Sequence, residues 1–120
     1  MFVPVNDLIQ VPTLLSGATD ALTFPGLAIV TTAGVDAMTL GTPVAGSPVP
    51  GLNFVFGGQD GLYLWVVSTT ANAHTITTAA GKINGNLHIA TFGAVAGNMV
   101  VLVAFGGVWY MVASKGITLS

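Results

Sequence analysis

The chain has 120 residues, 52% of them hydrophobic and only 5% charged, with a formal net charge of -2 and no cysteine. Its acids are all Asp and its bases are Lys82 and Lys115 alone, so nucleic acid is disfavoured as a partner, and disulfides and thiolate metal sites are excluded. An ordinary soluble domain is about a quarter charged; a free monomer with so little charge would tend to self-associate, and much of this surface is expected to be covered by other protein.

The length suits one domain, and the apolar content provides for a sizeable core. The first segment, residues 1–26, carries Pro4, Pro12 and Pro25 at wide intervals. Each fixes φ and removes a donor, which argues against a regular central strand or helix. The same segment holds Phe2, Val3, Val5, Leu8, Ile9, Val11, Leu14 and Leu15. An extended apolar arm of this kind packs back on its own domain or lies on a partner. The start, Met1-Phe2-Val3-Pro4-Val5-Asn6-Asp7, has no basic n-region, which argues against a secretory signal.

Residues 27–120 read as a β domain. Leu27 to Thr32 is a predicted strand, Ala33-Gly34 a turn, and Asp36 to Leu40 alternates polar and apolar as a half-buried strand does. Residues 41–51, with three prolines and three glycines, read as a loop with no ladder of its own. Leu52 to Phe56 and Leu62 to Ser68 are strands around the turn Gly57-Gly58-Gln59-Asp60-Gly61, and His74 to Thr78 and Leu87 to Phe92 flank a second turn region. Met99 to Phe105 and Val108 to Ser114, joined by Gly106-Gly107, read as a hairpin with a primed turn. Its register would set Phe105 opposite Val108, Val103 opposite Tyr110 and Val101 opposite Val112. The other face would hold Val100 and Leu102 with Trp109 and Met111.

Both faces of that hairpin are apolar, as are both faces of Leu62 to Val67, so each should be covered twice: by a second sheet, and by a neighbouring subunit. A spanning helix needs about 20 apolar residues in a row. The best stretch, Met99 to Ala113, is shorter, broken by Gly106-Gly107, and rich in strand-forming Val and aromatics. No membrane partner is expected. The whole reads as an all-β protein, a small antiparallel β-sandwich or jelly-roll-like domain behind an extended N-terminal arm.

Candidate chemistry is sparse. His74 and His88, if their strands pair, would face each other and with an Asp make a two-His-one-carboxylate site; the structural reading is a strand-end His bonded to backbone. Asp36 and Asp60 sit beside predicted turns, where Asp is a common turn residue, and this outweighs a role as paired carboxylates. No nucleophile elbow and no phosphate loop is present. Tyr63, Trp65, Trp109 and Tyr110 suggest a sugar-stacking platform, but their neighbours are Val, Leu and Met, which favours core or subunit interface. No catalysis, cofactor or metal is expected.

The segments Gly34-Val-Asp-Ala-Met-Thr-Leu40, Ala71-Asn-Ala-His-Thr-Ile-Thr77 and Ala90-Thr-Phe-Gly-Ala-Val-Ala-Gly-Asn98, followed by Gly106-Gly107-Val108-Trp109-Tyr110, resemble small virion proteins of tailed bacteriophages. They are similar in particular to capsid decoration (cement or head-fibre-like) proteins, over about Gly34 to Leu119. The resemblance implies a homo-oligomer on the outside of a capsid, assembled in the host cytoplasm, that clamps neighbouring major capsid subunits. On that expectation Phe2, Val3, Val5, Leu8, Ile9, Leu14 and Leu15 contact the capsid. Tyr63, Trp65, Trp109, Tyr110 and Met111 form the subunit interface of a homotrimer, or of a dimer. The alternative is a tail, spike or head-fibre adhesin domain that binds host glycan.

Overall fold

Short Val-, Thr- and aromatic-rich runs cut by Gly, Pro and Asn leave no helical period. In the computed structural model, which describes residues 11–120, they form strands and, among the described residues, no helix. In chain order these are β1 (Thr13–Leu15), β2 (Gly26–Val30), β3 (Ala37–Thr39), β4 (Ser47–Pro48), β5 (Val55–Phe56), β6 (Tyr63–Ser68), β7 (Thr75–Thr77), β8 (Ile89–Phe92), β9 (Met99–Phe105), β10 (Val108–Lys115) and β11 (Ile117–Leu119). A five-stranded sheet has the order β1-β2-β6-β9-β10, a four-stranded sheet β11-β8-β7-β3, and β4 pairs β5 apart from both. The all-β expectation holds.

The expectation of antiparallel pairing does not hold throughout. β1 with β2, β2 with β6, and β3 with β7 are parallel. Each of these pairs is joined by a connection long enough for a crossover, which tight hairpin turns cannot provide. The remaining pairs are antiparallel.

Two further expectations are corrected. The loop predicted without a ladder contributes Ser47–Pro48 to the small β4–β5 hairpin, and the strand predicted from Leu52 is reduced to Val55–Phe56. Leu15, placed on the arm, is a core residue: β1 pairs β2 with Leu15 opposite Val30, and both side chains are buried. Leu22 is buried as well, and the backbone of residues 18–22 bonds along the edge of β3. Pro12 tolerates this because it precedes the strand. Phe2, Val3, Val5, Leu8 and Ile9 lie outside the described residues.

One core joins the two larger sheets. Ala28, Val30, Leu64, Val66, Val100, Leu102, Ala104 and Trp109 come from the inner face of the five-stranded sheet, and Met38, Ile76, Ala90 and Phe92 from the four-stranded one. Period-2 alternation accounts for both sets. The C-terminal hairpin forms as the Gly-Gly turn dictates, with positive φ at Gly106 (61°) and Gly107 (77°). Phe105 pairs Val108 and Val103 pairs Tyr110 as expected, but a bulge after Met111 puts Ala113, not Val112, opposite Val101. The free edge of β10 is covered by a turn: Trp109 N–H donates to Lys82 O at 2.8 Å, Asn84 N–H to Trp109 O at 2.8 Å, and Met111 N–H to Asn84 Oδ1 at 3.1 Å. β1 is the opposite edge strand of this sheet.

Candidate functional site: an uncovered apolar sheet face

The imidazole of His74 is fully buried between strands. Its Nδ1 accepts the Asp36 N–H at 3.0 Å, which leaves the proton on Nε2; that group lies 2.9 Å from Thr70 Oγ1, whose hydroxyl donates to Thr32 O at 2.7 Å. Burial holds the imidazole below its ordinary value of 6.5 and so keeps it neutral. The equally buried Asp36 carboxylate accepts Asp20 N–H at 3.0 Å and is approached by Thr32 Oγ1 at 3.4 Å. Its pKa is raised above 3.8, first by burial and then by the neighbouring Asp20. These bonds tie residues 17–20, 32–36 and 70–74 into one closed knot with no ring lone pair left for a metal.

His88 does not join it. β7 and β8 do pair, but the register sets Thr75 opposite Thr91 and Thr77 opposite Ile89. Phe92 N–H therefore donates to His74 O, and Thr78 N–H to His88 O, at opposite ends of the pair. Among the described residues no group of three or more His, Asp or Glu gathers as a metal site would require. Asp60 works elsewhere: its carboxylate accepts Gly46 N–H at 2.9 Å and Gly106 N–H at 2.8 Å, pinning the long loop to the tip of the β9–β10 hairpin.

The aromatic residues are divided by strand alternation. Trp109 is wholly buried, not at an interface: its Nε1–H donates to Gly41 O at 3.0 Å and its ring meets Phe24 edge-on, centroids 4.8 Å apart at 85°. Met111, on the same side of β10, packs half-buried against the core. The interface expectation for Trp109 and Met111 is therefore corrected, because both point inward. Tyr63, Trp65 and Tyr110 have the opposite parity and stand on the outer face, 51%, 48% and 39% exposed.

The register defines that face. Leu27, Trp65 and Val101 form one row, continued by Ala113; Tyr63, Val103 and Tyr110 form the next; Leu14, Ile29, Val67 and Met99 lie along a third, ending at Lys115. Phe105 and Val108 close the tip. Val101 is buried yet stands outside the core cluster, consistent with its outward parity. Leu14, Phe105 and Val112 are more than half exposed. A concavity of about 690 Å³ opens on this face, lined by Pro25, Gly26, Leu27, Tyr63 and Trp65. A second, of about 580 Å³, is lined by Leu52, Phe54 and Phe105 together with Asn53 and Asp60, so the apolar surface continues onto the loop of the small hairpin with polar groups beside it.

The outer face of the four-stranded sheet differs in kind. Thr75, Thr91 and Thr118 stand side by side across three strands, with Thr39 and Thr77 paired two residues along. Threonine hydroxyls wet this face without charge. The sequence reading placed Val103, Phe105 and Val112 on one apolar face of the hairpin but did not name them at the subunit interface, and it missed Leu27 and Ile29 as members of that face. The signal for the hairpin members was present in its two-sided hydrophobicity; Leu27 and Ile29 needed the parallel pairing of β2 with β6.

No helix among the described residues is long and apolar enough to cross a membrane. No protein-family model, no curated protein and no solved structure matches the chain.

Proposed function

We propose that the chain is a structural virion protein, a capsid decoration or cement protein that self-associates and clamps neighbouring major capsid subunits. In this reading its two larger sheets stack as a sandwich. One observation carries it: among the described residues a charge-poor chain leaves an apolar sheet face with Leu14, Tyr63, Trp65, Phe105 and Tyr110 exposed, while its opposite sheet face is dressed in threonine. Monomeric proteins rarely leave contiguous apolar patches of that extent to water, and such patches mark sites of protein association. The buried polar groups support the same reading, since His74 and Asp36 serve structure and Asp60 fastens loops.

Attachment to a shell falls to other surfaces. The segment ahead of Val11, with Phe2, Val3, Val5, Leu8 and Ile9, supplies apolar contacts, and exposed Leu14, Phe54 and Phe56 add to them. Many weak contacts of one kind, repeated over a symmetric shell, sum to firm attachment through multivalency. A glycan-binding adhesin is less favoured: the lining of the Tyr63–Trp65 concavity has no carboxylate or amide side chain to bond sugar hydroxyls.

Co-expression with the major capsid protein of the same genome tests the proposal. Assembled shells should sediment with this chain bound in regular array by electron microscopy, and should resist heating better than bare shells. Shells that form and sediment without it would overturn the proposal.

A further inference from the structure

We propose that the outer face of the five-stranded sheet is where a second copy of this chain packs, face to face about a two-fold axis. The inference rests on the reading above for its expectation of self-association; it adds the surface, the symmetry and the number of copies.

Size is the first argument. Leu14, Tyr63, Trp65, Phe105, Tyr110 and Val112 are between 39% and 66% exposed. With the half-buried residues between them, they present roughly 800 Å² of mostly apolar surface, about what one partner contributes to a standard interface. The chemistry is self-compatible, because the rows defined by the register contain one charge, Lys115, at the corner of the sheet. Two such faces bring no unpaired charge together at their centre, so desolvation costs little there. Sheet faces stack about 10 Å apart with interdigitating side chains, and the concavity beside Tyr63 and Trp65 gives this face the relief for it.

Symmetry is the second argument. A ring, such as a trimer, uses two different complementary patches on every protomer, whereas a two-fold pair uses one patch twice. Among the described residues there is one large apolar sheet face. The opposite sheet face is a threonine array, and the exposed Leu52 and Phe54 of the small hairpin adjoin the same apolar surface through Phe105. A single patch of this size satisfies a dimer and leaves a ring without its second contact.

The chain has no cysteine, so one introduced thiol reports on one position. At tens of micromolar, light scattering should give twice the 12.1 kDa chain mass. A bis-maleimide that spans about 10 Å, the spacing of stacked sheets, should link Val103→Cys, on a central strand of the face, into covalent dimers, while Thr91→Cys on the threonine face should stay unlinked. Trp65→Lys should raise the dimer dissociation constant about 100-fold or more with an unchanged circular dichroism spectrum; Tyr63→Lys serves if that variant fails to fold. The chain lacking residues 1–10 should still dimerise. A monomer, a threefold mass, cross-linking of Thr91→Cys alone, or loss of the dimer on removing residues 1–10 would overturn the proposal. A dimer that never attaches to shells would leave it standing and overturn only the shell assignment.

Discussion

Trp65 on β6 and Trp109 on β10, strands of one sheet with β9 between them, point to opposite faces, and substituting each separates core from interface. Trp109→Phe keeps the edge contact with Phe24 but removes the 3.0 Å hydrogen bond to Gly41 O and one ring of a fully buried side chain. A lost net hydrogen bond is worth about 1 kcal/mol, and the partial cavity brings the expected cost to about 2 kcal/mol. Trp109→Ala empties the site and should cost about 3–5 kcal/mol. Trp65→Ala truncates a half-exposed residue and should cost the isolated protomer less than about 1 kcal/mol. Urea titrations followed by circular dichroism, at two protein concentrations tenfold apart, distinguish the roles. The Trp109 losses should be the same at both concentrations, whereas any Trp65 loss should depend on concentration, because association contributes to apparent stability. A neutral Trp109→Phe, or a Trp109 loss that tracks concentration, would refute the inward assignment.

Other outcomes follow from the polar knot and the turns. The folded-state pKa of His74 lies below 6.5, so its contribution is present above pH 6.5 and is lost as pH falls from there through the lower folded value; the urea midpoint should decline over that window, and His74→Gln should remove the decline. Asp36 has the opposite sign: its raised pKa means a contribution present below 3.8 and lost as pH rises through the folded value. Asp36→Asn should therefore be no less stable than the parent at pH 7, and a loss above about 1 kcal/mol would contradict the burial argument. Gly58→Ala should be severely destabilising, since its φ is 66° and a Cβ would stand 2.5 Å from Gly46 N, whereas Gly51→Ala, at φ 78° with open space, should cost only about 1 kcal/mol by thermal melting. Asp60→Ala should lose about 2 kcal/mol and speed amide exchange at Gly46 and Gly106.

Much of the local structure was legible along the chain. Gly106-Gly107 between two Val-rich runs marks a hairpin, because few residues other than Gly take positive φ twice in succession. The runs at Tyr63–Ser68 and Met99–Phe105 are long and β-branched enough to be strands in almost any context. The three-residue strands were harder. Thr13–Leu15 follows a proline and has no alternation to show, and only its pairing with β2 makes it a strand. Parallel pairing has no local signature, so β2 beside β6 was beyond reach, and with it the Leu27 and Ile29 portion of the apolar face. The His74–His88 idea failed by register: the two strands pair, yet two side chains on a pair of strands meet only when the offset is right.

Scarcity of charge, an all-β chain and apolar residues on both sides of the main strands were determined by the sequence itself, since composition and period-2 patterning are local properties. Which side is the core was decided only in three dimensions. Alternation sets Trp109 and Tyr110 on opposite faces, but when both faces are apolar nothing local ranks them. The sheet bearing Met38, Ile76, Ala90 and Phe92 shares its core with the Trp109 side, and by doing so leaves Tyr63, Trp65 and Tyr110 outside. The missing charge thereby acquires a place: it is the face that no part of residues 27–120 covers with a second sheet.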